Sequence, residues 1–181
     1  MFEQIKDFFR RRKIRKLSGA VPTGLLPLSE ISTVNFVIDV EESEYDILKD
    51  EILAWGKAED KKVVIYYFDF RKLSANELLL TSIQTTVARK ELNWFGMPPY
   101  EKVAPLIEHE SDLFVSLVDN GDFPIDFVSK CAAARFKIGR RAYKGHCYDM
   151  VLAGKHEEGV RSGGREVFAG IVEFLGKIEN E

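Results

Sequence analysis

With 181 residues, 45% of them hydrophobic and 30% charged, the chain has the size and composition of one ordinary globular domain. Its two cysteines, Cys131 and Cys147, have no companions at metal-ligand spacing, which argues against a disulfide framework and for a reducing, cytoplasmic setting. No run approaches the roughly 18 apolar residues that span a bilayer, and the basic residues follow the first hydrophobic pair where a secretory signal would have them precede it.

The net charge of −3 is unevenly spread. Residues 1–17 hold seven basic and two acidic residues, a local +5, so the remainder carries −8. This basic stretch reads as a helical arm, because good helix formers run without Gly or Pro as far as Gly19. Phe2, Ile5 and Phe9 share one side at i, i+3, i+7 spacing, with Phe8 beside them. Past Arg10 the helix is charged nearly all round and should be solvated. Residues 18–33, rich in Gly and Pro, read as a linker to a domain at 34–181.

That domain alternates strands and helices. Residues 34–40 (VNFVIDV) are β-branched and apolar, as a strand covered on both faces should be. A capping box at 43–46 opens a helix whose Tyr45, Leu48, Ile52 and Trp55 keep helical spacing to Gly56. A second buried strand follows at 63–68. Residues 74–90 suit helix in their first half and strand in their second. A short strand is expected at 92–95 before the Gly-Met-Pro-Pro turn at 96–99. A helix at 100–108 leads to a third strand at 112–118, and Asp122 with Pro124 opens a helix running to about Ala134. Strands are expected at 135–138, with one open face, and at 148–152. The last helix, 164–178, has Val167, Ile171, Phe174, Leu175 and Ile178 on one stripe. Repeated strand–helix units of this length predict an α/β fold, a single three-layer domain with a mainly parallel sheet, preceded by the basic N-terminal helix.

Ligands of open parallel sheets bind beyond the carboxyl ends of the strands. There the loop 154–165 stands out, with Lys155, His156, Arg161, Ser162, Gly163, Gly164 and Arg165 feeding into a helix. Free N–H groups at a helix start attract anions, and the glycines would let a phosphate approach the main chain. The spacing matches neither the P-loop nor the dinucleotide fingerprint, and a surface loop with Ser162 as cap is the more ordinary reading. A second basic cluster comprises Arg135, Lys137, Arg140, Arg141, Lys144 and His146. It suits a phosphate or acidic partner, or else a charged strand edge defended against pairing. Asp39 and Asp69 end strands, where catalytic acids often sit, while Glu41, Glu42 and Glu44 are explained by the helix start they flank. His109, His146 and His156 have no metal spacing, and Ser116 lies in no nucleophile elbow. No catalytic residue, metal or cofactor can be named. The aromatics of 94–100 suit either a ligand platform or a corner that closes the core.

Three segments, Asn93-Trp-Phe-Gly-Met-Pro98, Asp112-Leu-Phe-Val-Ser-Leu117 and Ala134-Arg-Phe-Lys-Ile-Gly139 followed by Tyr148-Asp149, resemble an uncharacterised family of small bacterial cytoplasmic proteins, a domain of unknown function. The resemblance implies a cytoplasmic α/β fold and carries no activity or site residues. The strand-turn-helix around 112–125 is also similar to Rossmann-type sheets, a likeness of fold alone. Two functions are expected. In the first, the protein is a non-enzymatic interaction protein whose arm (Phe2, Ile5, Phe9, Arg10, Arg11, Arg12, Lys13) docks on an acidic protein or membrane surface. The body's −8 disfavours nucleic acid, and the arm has the further options of folding back on its domain or pairing in a homodimer. The alternative is a protein or enzyme that binds a phosphorylated metabolite or nucleotide through the loop 154–165, assisted by Arg140 and Arg141.

Overall fold

The computed structural model describes residues 2–19, 21–71, 82, 84–153 and 163–178. Six parallel strands form one sheet: β1 (Thr33–Asp39), β2 (Lys62–Asp69), β3 (Thr86–Ala88), β4 (Ser111–Ser116), β5 (Ala134–Gly139) and β6 (Met150–Val151). Their spatial order is β3-β2-β1-β4-β5-β6, so the direction of winding reverses between β1 and β4. The helices are α1 (Phe2–Leu17), α2 (Tyr45–Ala58), α3 (Tyr100–Glu108), α4 (Phe123–Cys131) and α5 (Gly164–Gly176).

The expected α/β architecture with a helix at its N-terminus is what the chain adopts. The central strands lie where unbroken apolar runs placed them, because β1 and β4 must shed water from both faces. On one face α2 and α5 pack Leu48, Ile52, Trp55, Phe168, Ile171 and Leu175 against Phe36, Ile38 and Val115. On the other, Val103, Leu106, Ile125 and Val128 of α3 and α4 cover Val37, Phe68 and Phe114. The segment 18–33 is laid along the domain: Ile31 is buried, Leu25, Leu26 and Leu28 pack beside it, and the Gly24 N–H donates to the Arg135 carbonyl at 3.1 Å.

Three local expectations need correction. The strand at 92–95 does not form; the Asn93 side-chain oxygen accepts the N–H groups of Phe95 and Met97 and turns the chain there. Pairing beside β2 is taken by Thr86–Ala88, in the second half of the stretch 74–90, which suited a strand; of residues 74–81 nothing is described. Ser43 does not cap α2, whose start at Glu44 is left-handed (φ 64°) and has no side-chain cap bond. β5 is not an open edge, because the two residues of β6 pair beyond it.

Candidate functional site

The carboxyl ends of the strands carry a band of charge built from residues at, or just past, the last paired position of each strand. Asp69 ends β2 and is held by Arg71 through two bonds, 2.9 Å from Nε and 2.7 Å from Nη2, which keep its carboxyl below the usual range. Asp39 ends β1, beside the reversal of strand order. It accepts the Glu41 N–H at 2.8 Å and an Asn120 side-chain N–H at 3.0 Å, yet burial raises its pKa.

Next to it, Arg140 is buried to 7% exposure. It donates to the Glu42 carboxylate and, at 2.9 Å, to the Leu117 carbonyl. The same carboxylate accepts the main-chain N–H of Gly164 at the start of α5, though burial still raises its pKa. A Cβ on Gly164 would come within 2.7 Å of Glu42 Oε2, so glycine is what lets this carboxylate reach the helix. Glu42 therefore serves the N-terminus of α5, where its sequence position had assigned it to α2.

The residues expected to hold an anion are brought together only in part. Arg140 and Gly164 meet, Arg140 Nη1 lying 3.7 Å from the position of a Gly164 Cβ, but the carboxylate between them is the chain's own. Arg141 donates to the Asp119 carbonyl at 2.9 Å. Gly163 and Arg165 line a groove of about 800 Å³ between α2 and α5 that also carries Glu44, Glu51, Glu166 and Glu173. Arg165 bonds Glu51 and Glu44 there, and its hydrogen bonds lower the Glu51 pKa. Four carboxylates around one guanidinium make this groove unfavourable to an anion. Arg161, Ser162 and the rest of the loop from 154 lie outside the described residues. Among the described residues no group of three or more His, Cys, Asp or Glu could hold a metal ion.

The arm lies on its own domain. Arg10 turns inward, Nε donating to the Phe95 carbonyl at 2.7 Å while the guanidinium rests 4.2 Å from the centre of the Phe123 ring. Lys6 lies over Trp94 at 5.1 Å and Lys13 over Tyr100 at 5.7 Å. Phe9 meets Phe95 at 5.3 Å, and Ile14 and Leu17 pack against the α3–α4 side of the core. The aromatic corner at 94–100 thus serves as the seat of α1. Gly96 is needed there for its φ of 76° and because a Cβ would stand 3.2 Å from Arg10 Nη2.

Seating α1 this way leaves Phe2 at 72%, Phe8 at 62% and Trp94 at 59% exposure, with Ile5 and Phe9 exposed between them. At about 100° per residue, Phe2, Ile5, Phe9, Arg12 and Lys16 fall within an arc of roughly 80° on the outward side. The first half of that stripe is apolar and the second cationic. Arg11, Arg12, Arg15 and Lys16 are exposed and meet no carboxylate among the described residues. Sequence reasoning found the arm but not its seat, because cation–aromatic contacts between distant segments leave no periodic signal.

A family model described as "Family of unknown function (DUF6913)" matches residues 6–161. No curated protein and no solved structure matches the chain.

Proposed function

We propose that this chain, which belongs to the family of unknown function DUF6913, is a non-enzymatic interaction protein that docks on an anionic membrane surface through α1 and the Trp94 corner. The observation that carries this reading is the fixed seat of α1. By spending Arg10, Lys6 and Lys13 on aromatic rings of its own domain, the helix holds Phe2, Ile5, Phe8 and Trp94 outward beside Arg11, Arg12, Arg15 and Lys16.

On sequence alone the arm is amphipathic for two turns. Trp94 widens that apolar area, and indole rings favour the interfacial zone of a bilayer. Each cation near an anionic surface contributes about 1 kcal/mol, so the four outward ones are worth about 4 kcal/mol at low salt. The body's −8 repels the same surface and orients the molecule with α1 toward it. No described helix is long and apolar enough to cross a membrane, so the contact would be peripheral. The all-parallel β3-β2-β1-β4-β5-β6 order is Rossmann-like, but the ligand position of that fold is occupied here by the internally paired Asp39, Glu42 and Arg140.

Co-sedimentation of the full chain with phosphatidylcholine vesicles, with and without phosphatidylglycerol, tests the reading. Binding to the anionic vesicles alone is expected, weakened about a hundredfold by the double reversal Arg12→Glu, Lys16→Glu. Equal binding to neutral vesicles, or capture by soluble polyglutamate without vesicle binding, overturns it; the latter assigns the surface to an acidic protein.

A further inference from the structure

A cleft of about 640 Å³ opens on the opposite flank of α1 from Trp94, between the second half of the helix, the segment after it, the end of α4, β5 and the turn before β6. Three stretches of the chain, residues 11–23, 130–137 and 145–149, deliver its walls, and the charge they bring has one dominant sign. Arg11 and Arg15 enter from α1, Lys130 from α4, Lys137 from β5, and His146 from a turn held at positive φ (47°).

The acids that face these groups are few. Asp126 pairs with Lys130 at 2.7 Å, and the Asp149 carboxylate accepts the Lys137 main-chain N–H at 2.7 Å. Arg11 and Arg15 meet no carboxylate among the described residues, so four basic side chains face two carboxylates. Lys137 is partly buried and donates to the Ser129 carbonyl at 3.1 Å, leaving it two further N–H groups. Burial lowers its pKa, the expected sign for an amine short of a counter-charge. The floor is apolar: Ile14, Val21, Ala132 and Tyr148 line it.

A cleft of this size, lined by several cations and by apolar side chains, is a form that small-ligand sites take. We propose that this cleft binds a phosphorylated small molecule, its phosphate between Arg11, Arg15 and Lys137 and its body against Ile14, Val21 and Tyr148. This site is separate from the paired Arg140–Glu42–Gly164 group, and it shares Arg11 and Arg15, but not Arg12, Lys16 or Trp94, with the docking face of α1. Since α1 forms one wall, a ligand here ties the helix to β5.

The phosphate could belong to a soluble metabolite or to a lipid headgroup, and two probes separate these sources. Inorganic pyrophosphate is titrated into the full chain while thermal stability and amide exchange of α1 are followed. In parallel, vesicle binding is compared between phosphatidic acid and phosphatidylserine. A saturable rise in melting temperature with slower exchange in α1, weakened about tenfold in Lys137→Gln and in the exposed pair Arg11→Gln, Arg15→Gln, supports a soluble ligand. A preference for phosphatidic acid that Lys137→Gln removes supports a headgroup. No response to either probe, or a response unchanged in both variants, overturns the proposal. Trp94→Ser marks the difference from the docking surface, since it should weaken vesicle binding and leave the pyrophosphate response intact.

Discussion

Asp39 is 8% exposed at the carboxyl end of β1, and its two hydrogen bonds do not offset the burial that raises its pKa. An acid with a raised folded pKa binds its proton more tightly in the fold than in the unfolded chain. Its contribution therefore favours the fold below the ordinary Asp value of about 3.9 and is lost as pH climbs through the raised value. Asp69 has the opposite sign, since Arg71 lowers its pKa: its stabilisation is present at neutral pH and lost as pH falls below the ordinary value. Replacing Asp39 by Asn should thus improve stability relative to the parent more at pH 7 than at pH 4, read from urea unfolding at both. An equal difference at the two values would show that its ionisation is not opposed by the fold. The thiols give a second residue-scale prediction. Burial pushes Cys147 up to about 11 and Cys131 up to about 12. With so little thiolate at pH 8, both should react slowly with a disulfide reagent in the native chain and rapidly in denaturant. Fast native labelling of Cys147 would contradict the raised pKa of its thiol.

At the scale of elements, the close approaches depend on glycines. A Cβ on Gly139, at the end of β5, would lie 2.3 Å from the Tyr148 ring, so the strand and the turn before β6 touch only because that position is bare. Gly139→Ala should cost about 1–3 kcal/mol in chemical unfolding, the usual penalty for overpacking a closed interior. An unchanged midpoint would mean that the Tyr148 ring moves freely. The seat of α1 depends likewise on one side chain. Arg10→Ala removes a charge-assisted bond to the Phe95 carbonyl and the stacking on Phe123. The expected loss is about 1–3 kcal/mol of α1 attachment, seen as faster amide exchange in residues 2–17 with the sheet unaffected. These contacts explain what the sequence made legible. The β1, β2 and β4 runs, the α5 stripe and the Asp122–Pro124 start of α4 were readable because burial on both faces, helical period and a proline in the first turn are local in sequence, although the Asp122 side chain makes no cap bond. The roles of Glu42, Asn120 and the 94–100 corner were not. Glu42 crosses to α5, Asn120 reaches Asp39 from the loop after the neighbouring strand β4, and Arg10 finds a carbonyl 85 residues away.

For the whole molecule, the consequence of segregating +5 in the arm from −8 in the body turns on what holds the two together. Opposite charge would suggest an ionic attachment, one that salt releases. The contacts say otherwise: α1 is held by rings, a carbonyl and the apolar Ile14 and Leu17, while its ion pairs, Lys6–Glu3 and Arg10–Asp7, are internal to the helix. Between about 0.1 M and 1 M salt the Debye length falls from about 10 Å to about 3 Å, which screens exposed charges but leaves apolar burial intact. The attachment of α1 and its adhesion to an anionic surface should therefore separate on a salt titration. Trp94, beneath Lys6, reports the first through its emission, with Trp55 buried in the opposite layer as an internal reference. Vesicle co-sedimentation reports the second. Emission should hold steady across the titration while vesicle binding falls by at least about tenfold, since four outward cations lose their attraction together. A shift of Trp94 emission that tracks the loss of vesicle binding would mean that salt frees the helix from its domain, and that the outward stripe is not presented on a fixed seat.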